Sequence, residues 1–463
     1  MKRSILRGFG LAAVAAVALA GCSSSNNSGS GGSTPTSGGS TAASSAPSSA
    51  PSSAPSSASE AAVTLTMSGW TFSTTPEFKT LADAFHAAHP NVTIQLKEYD
   101  AKNYDTQMTA DLAAGKAPDI YELKNLQDFI TYQSGGQLMD VSDVAASYSS
   151  GPGKLSGLDD YKVDGKYYAI PYRQDSWVLF YNKDLFAKAG VPVPDGKWTW
   201  DDFVTNAEKL TTALKAAGDK DALGTYFHSW QSVIQGFAQS QTPGASVTGD
   251  DYSYLKPYYQ RALELQSKGA MLSFNTASTQ KATYQAEFGK QNAAMMPMGT
   301  WYIATLLSQQ ASGDADKFNW GIAPIPQYDS STFSNPVTFG DPTGMAINPA
   351  IDKSKVAAAK EFLSFVGGQD AASDLAKIGI TPAYVSDQVT QTIFSAPGAP
   401  TDDLSKWTFS NHTTKPENPV SKYTQKIQSI LNDEHTAIMS GSKSVDSAIS
   451  DADKRVKNEA LNQ

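Results

Sequence analysis

Four tryptophans stand beside hydrogen-bonding residues in this chain: Trp70 in Ser68-Gly69-Trp70, Trp177 two residues after Asp175, Trp230 in His228-Ser229-Trp230, and Trp301 in Gly299-Thr300-Trp301. A flat indole offers a face on which C–H groups can stack, while acids, amides and guanidinium groups hold hydroxyls in fixed directions. Glu122 and Asp341 add two more carboxylates of this kind. Such a set suits recognition of a molecule with an apolar face and a polar rim, without bond making. No catalytic residue and no cofactor is assigned. His86 and His89 lie three apart on a helix with no acid or Cys at ligand spacing, so no metal site is expected. The chain has no phosphate loop with Lys-Ser/Thr and no Gly-x-Ser-x-Gly elbow, so neither nucleotide hydrolysis nor that serine chemistry is expected.

The elements that must position these residues alternate. Val63 to Met67 reads as a strand, and Thr75-Pro76-Glu77 opens a helix as N-cap, N1 proline and first-turn acid. Leu81, Ala84, Phe85 and Ala88 line its face, and Pro90 stops it. A strand at Val92 to Leu96, a helix at Tyr104 to Ala114 and a strand at Asp119 to Leu123 complete a βαβαβ unit. Ligands of such sheets sit at the carboxyl ends of the strands, which puts Trp70 and Glu122 at a mouth, while Asp119 braces its strand. Asp164-Gly165 marks a hairpin turn that leads into Tyr172-Arg173-Gln174-Asp175-Ser176-Trp177, where a second α/β series begins. Val178 to Tyr181 is a strand, Lys183 to Ala189 a helix closed by Gly190, and Thr199-Trp200-Asp201-Asp202 caps a helix reaching Ala217. Trp198, Trp200 and Trp320 are assigned to structure. Further helices follow near Ser229 to Gln239 and Tyr252 to Lys268, then a strand at Asn292 to Met298. Trp320 to Pro326 reads as a strand returning the chain to the first lobe. Met345 to Asn348 is a strand, Val356 to Val366 a helix, and two amphipathic helices follow from about Asn418.

The N-terminus supplies the compartment. Lys2, Arg3 and Arg7 precede an apolar run, Leu11 to Leu19, that is too short for a stable membrane span. Leu19-Ala20-Gly21-Cys22 resembles the lipobox of bacterial lipoproteins, in which the Cys is acylated. Residues 1–21 are then a signal peptide, and 22–60, almost wholly Ser, Gly, Ala, Thr and Pro, a disordered tether with a reach on the order of 35 Å. Cys22 is the only cysteine, which leaves no disulfide and no Cys-based metal or redox site. Losing the three signal-peptide cations takes the formal charge from -9 to -12, a balance that disfavours nucleic acid and anionic lipid as partners.

Several motifs recur in order: Ala117-Pro118-Asp119-Ile120, Gly165-Lys166-Tyr167-Tyr168-Ala169-Ile170-Pro171-Tyr172, Phe180-Tyr181-Asn182-Lys183-Asp184-Leu185-Phe186, Ala293-Ala294-Met295-Met296 before Gly299-Thr300-Trp301, and a Gly-rich loop before Met345-Ala346-Ile347. Together they resemble the extracellular solute-binding proteins of ABC importers, the family that includes the maltose- and oligosaccharide-binding proteins. The resemblance spans about residues 61 to 463. It implies a two-lobed α/β fold, each lobe a mainly parallel sheet flanked by helices, with the ligand cleft at the hinge. Lobe 1 is expected over 61–173 plus 327–400 and lobe 2 over 174–326 plus 401–463.

What the resemblance implies for function is capture of a sugar or oligosaccharide by hinge closure and delivery to permease subunits, by a monomer lipid-anchored outside the cell membrane. With the residues already singled out, the expected ligand-binding set is Trp70, Glu122, Asp175, Trp177, Trp230, Gly299, Trp301 and Asp341. Trp301 is the stacking platform and Gly299 allows close backbone approach. The register at Asp175 is loose by one residue, so Gln174 is its alternative. An exported glycoside hydrolase stays open as the other reading, since sequence does not give the separation of two carboxylates, as does a binding protein for a non-sugar solute.

Overall fold

The structure, a computed structural model, describes residues 61–462 apart from Thr74 and Lys102; the signal peptide, Cys22 and the tether lie outside the described residues. Thirteen strands are found among them: β1 Val63–Trp70, β2 Val92–Tyr99, β3 Ile120–Leu123, β4 Lys162–Val163, β5 Lys166–Tyr167, β6 Ile170–Gln174, β7 Trp177–Asn182, β8 Leu223–Thr225, β9 Ala293–Gly299, β10 Trp320–Ala323, β11 Val337–Phe339, β12 Pro342–Ile347 and β13 Thr413–Lys415. They build one five-stranded sheet in the order β2-β1-β3-β12-β6 and one four-stranded sheet in the order β10-β7-β9-β8. No helix of the described residues is long and apolar enough to cross a membrane.

The first sheet starts as the βαβαβ unit expected, with β1 parallel to both β2 and β3. Asp119 braces it: its carboxylate accepts the Thr66 N–H at 2.8 Å and hydroxyl at 3.0 Å, and Lys355 pairs with it at 3.1 Å. The helix Glu77–Ala88 packs on this sheet through Phe78, Leu81, Ala82 and Phe85, a three-to-four spacing that buries one stripe. Leu81 and Phe85 lie on the buried face as expected, Ala84 is half-buried and Ala88 faces solvent, and Phe78 and Ala82 complete the stripe instead. Thr75 is not the cap either. Pro76 occupies that position without a side-chain bond, and the Thr75 hydroxyl turns back to donate to the carbonyls of Trp70 and Thr71.

Both sheets are mixed rather than mainly parallel. β12 runs antiparallel to β3 and to β6, and in the second sheet β7 is antiparallel to β9 and β10, with only β8 and β9 parallel. Parallel pairing needs a long crossover within one sheet, whereas β12 enters its sheet from the other one and is free of that constraint. The strand at Trp320 does not return the chain to the first sheet. It pairs with β7 from Trp320↔Asn182 to Ala323↔Leu179, and the return comes with β11 and β12.

Each sheet has its own core. The first holds Leu65, Phe78, Phe85, Ile120, Tyr121, Ile170, Met345 and Phe362; the second holds Trp177, Phe180, Phe203, Phe237, Met296, Tyr302, Trp320 and Ile427. The helix Asp387–Phe394 buries Val389, Ile393 and Phe394 in the second core, so that core takes over before residue 400, the expected boundary. The chain crosses between the sheets at Asp175-Ser176, again between β11 and β12, and a third time between Ala383 and Val389. The crossings are tied together. Gln174 N–H donates to Thr381 O at 3.2 Å and Ala383 N–H to Tyr172 O at 3.0 Å, and the Ser176 and Thr414 hydroxyls meet at 2.6 Å.

Candidate functional site

The first crossing carries the charged part of the site. Arg173 and Asp175 are two apart on an extended segment and share a side of it. Arg173 Nε donates to Asp175 Oδ2 and Nη1 donates to Glu77 Oε1 at 2.8 Å. Glu77 comes from the first turn of its helix, 96 residues away. Thr300, just after β9, donates its hydroxyl to Asp175 Oδ1 at 2.8 Å and accepts one from Thr381 at 3.0 Å, so three crossings or strand ends hold this acid. All three charged side chains are nearly closed off, at 12% exposed for Arg173, 8% for Asp175 and 1% for Glu77. Burial raises the Glu77 carboxyl above its usual range, against the pull of Arg173. Burial also works against the guanidinium charge, but Asp175 and Glu77 outweigh it and hold Arg173 firmly charged.

An aromatic corner adjoins this cluster. Trp301 opens the helix Trp301–Ser312 directly after β9, close enough to the Tyr284 hydroxyl to act on its pKa. Burial raises the pKa of that hydroxyl, which also feels the charges of Arg173 and Asp175. Trp230 stands 5.8 Å from the Tyr284 ring, 6.4 Å from Trp301 and 4.3 Å from His228. Burial pushes the His228 imidazole down to about 4, which leaves it neutral at physiological pH. Trp230 is 41% exposed, while Trp301, Tyr284 and His228 are half-buried. Open ring faces therefore lie beside an oriented carboxylate and a guanidinium, the equipment for stacking on C–H faces and hydrogen-bonding hydroxyls.

The other expected residues lie behind this surface. Trp177 is 2% exposed and supports the corner from beneath, edge-on to Trp301 at 5.5 Å and stacked on Phe339 at 5.1 Å. Trp70 is 7% exposed, held between Phe78 and Tyr104 with the Lys124 ammonium 5.3 Å from its ring centre. Glu122 is fully buried, its carboxylate accepting the Ser68 hydroxyl and the Tyr104 hydroxyl at 3.2 Å, and burial pushes it up to about 8. Asp341, on the second crossing, accepts the backbone N–H groups of Leu126, Glu417 and Asn418 and the Asn418 side-chain amide at 2.6 Å. It ties three segments together. Gly299 makes room for Trp301 itself, since a Cβ there would overlap the indole. Gln174 turns elsewhere: with Gly157, Asp160, Ser176, Thr300, Thr381 and His412 it lines a cleft of about 510 Å³ to which Asp175 does not contribute.

Sequence reasoning missed Glu77, Tyr284 and His228 as parts of this site. Glu77 read only as a first-turn acid, and its burial beside Arg173 is tertiary. Tyr284 begins a six-residue helix with no periodic signal, and only the folding of β9 beside it brings it to Trp301.

The family model for bacterial extracellular solute-binding proteins matches residues 71–373. Among solved structures, a sugar transporter from Rhizobium etli in an open conformation is similar at 32% identity and a TM-score of 0.74, covering 86% of this chain and 99% of that one. An ABC substrate-binding protein from Listeria monocytogenes in complex with cycloalternan is similar in fold, at 22% identity and a TM-score of 0.71 over 86% of this chain and 99% of that one. A Brucella abortus protein described as a binding protein is 24% identical over 57% of this chain; the match spans 63% of that relative's length. The sn-glycerol-3-phosphate-binding periplasmic protein of Rhizobium meliloti is 24% identical over 80% of this chain and 81% of its own.

Proposed function

The chain belongs to the bacterial extracellular solute-binding protein family, and from that premise we propose that it is the lipid-anchored, extracytoplasmic binding component of an ABC importer for a carbohydrate. The observation that carries the carbohydrate reading is the corner of Trp230, Trp301 and Tyr284 set against Asp175 and Arg173. Rings and oriented polar groups side by side match a sugar's C–H face and hydroxyl rim. The similar proteins whose names mention sugars or cycloalternan support the same class.

The chain acts by binding, with no bond made or broken. The site stands where the chain crosses between the sheets, so a ligand touching both sides binds the closed form more tightly and shifts the equilibrium by that difference. The closed monomer then presents the sugar to permease subunits. Trp230 and Trp301 stack on the ligand, Asp175 accepts its hydroxyls, and Trp177, Gly299 and Asp341 hold the platform and the crossings in place. Trp70 and Glu122 form the support on the first sheet.

Isothermal titration calorimetry and thermal shift across neutral mono- and oligosaccharides test this. Saturable binding of at least one is expected. Binding of peptides or polyamines with no sugar response would overturn it, and release of smaller products from an oligosaccharide would favour the hydrolase.

A further inference from the structure

Resting on that carbohydrate reading, we infer that the site is built for an uncharged sugar and selects against phosphorylated and uronic ones, because its cation is already claimed by two carboxylates. The described residues contain three arginines, Arg173, Arg261 and Arg455, and only Arg173 stands at the site. A guanidinium recognises a phosphate or carboxylate by presenting two parallel N–H groups. Arg173 has Nε committed to Asp175 and Nη1 to Glu77 at 2.8 Å, and its side chain is only 12% exposed. The one guanidinium of this cluster is thus left with no positive charge that its two carboxylates do not already compensate.

Lys124, close enough to Arg173 to feel its charge, offers no substitute. Lys124 donates to the Ala101 carbonyl at 2.6 Å and stands over the Trp70 ring, with Asp105 close enough to act on its charge. Burial favours its neutral form.

Helix N-termini are the other common device for binding anions. The helix that contributes to the charged cluster begins with the protein's own acid. Glu77 is itself the first residue of the helix Glu77–Ala88. The helix Trp301–Ser312 begins at Thr300, whose hydroxyl is bonded to Asp175. An anionic ligand would have to displace or approach these carboxylates, and close juxtaposition of like charges in a poorly hydrated site is costly. A neutral sugar meets no such repulsion. The arrangement thus separates this chain's ligand from that named for the sn-glycerol-3-phosphate-binding relative, despite the shared family.

The experiment is calorimetry on the full mature chain with matched ligands: the neutral sugar that binds best, its phosphate ester, its uronic counterpart, and sn-glycerol 3-phosphate. The neutral member is expected to bind at least about tenfold more tightly than either acidic counterpart. In Glu77→Gln, whose folding is checked by its melting curve, the gap is expected to shrink to roughly threefold as one negative charge leaves the cluster; Asp175→Asn gives the same readout if that variant does not fold. An acidic counterpart or sn-glycerol 3-phosphate binding as tightly as the neutral sugar in the unaltered chain would overturn the inference while leaving the carbohydrate or polyol reading intact. Silence from every ligand of the series, neutral and acidic, would overturn both.

Discussion

The indole of Trp301 lies folded over Gly299: a Cβ at Gly299 would stand 1.9 Å from one ring carbon of Trp301 and 2.2 Å from two others. No side chain fits between the end of β9 and the ring, so the glycine sets where the platform lies. Gly299→Ala is expected to push the indole off its seat and weaken sugar binding by about tenfold or more, since a misplaced platform loses its stacking geometry. Titration calorimetry checks this, with tryptophan fluorescence reporting the ring's new surroundings. Unchanged affinity in a folded Gly299→Ala protein would remove Trp301 from the site.

Trp230 and Trp177 belong to one aromatic cluster, their rings 6.4 Å apart, but differ in exposure, 41% against 2%. Trp230→Ala is therefore expected to weaken binding by about tenfold while moving stability by less than ~0.5 kcal/mol. Trp177→Ala leaves a cavity among Phe237, Phe339 and Trp301 and should cost about 3–5 kcal/mol. Urea unfolding of both variants separates the roles, and equal destabilisation would contradict the division.

Four buried groups make stability depend on pH with opposite signs. His228 and His435, both lowered by burial to about 4, stay neutral when folded while the unfolded chain takes up protons. Stability therefore rises with pH from about 4 to the ordinary histidine value near 6.5. Glu122 and Glu417 are both raised to about 8, by burial and, for Glu417, also by the charge of Asp341. They hold protons in the folded state that the unfolded chain releases near 4.5, so their contribution falls as pH climbs from there to about 8. Above pH 6.5 only the glutamate effect of these four remains, on the order of 1 kcal/mol per pH unit for each. The melting temperature is expected to decline between pH 6.5 and 8, and Glu122→Gln to flatten part of that decline. A melting temperature that rises over this interval would contradict the assignment.

Local chemistry was legible in the sequence and distant pairing was not. Thr199 and Asp202 form the reciprocal capping box, Gly190 takes the left-handed conformation that ends its helix, and Asp164-Gly165 makes the turn between β4 and β5. Each depends on residues within a few positions of one another. The Arg173–Glu77 pair spans 96 residues and the Asp175–Thr300 bond 125, so no local pattern announces them. In sequence Trp70, Trp177 and Trp230 look alike, each following a serine within two residues. What separates them is how much of each ring the neighbouring strands and helices cover, a property of packing.

Cys22 lies outside the described residues, and its role rests on the lipobox resemblance. Cys22→Ala is expected to leave sugar affinity unchanged, because the site is built wholly from residues after 61, yet to release the protein from the membrane and impair uptake. A membrane fraction that retains the variant in full would contradict the anchor. The tether then also sets the local concentration of the binding unit at the permease.

Gly340 presses its backbone against the first crossing: a Cβ there would stand 2.1 Å from the Asp175 carbonyl oxygen and 3.4 Å from Ser176 Cα. Backbone cannot move aside as a flexible side chain does, so Gly340→Ala must separate the two crossings. Asp175 and Arg173 sit on that segment, and Asp341, the next residue, anchors Leu126, Glu417 and Asn418. The substitution is thus expected to change the angle between the two sheets and weaken sugar binding by about threefold or more, although Gly340 lies on no proposed ligand contact. Small-angle scattering with and without sugar, beside calorimetry, checks both parts. Unchanged scattering and affinity would mean that the crossings flex independently and that closure pivots elsewhere.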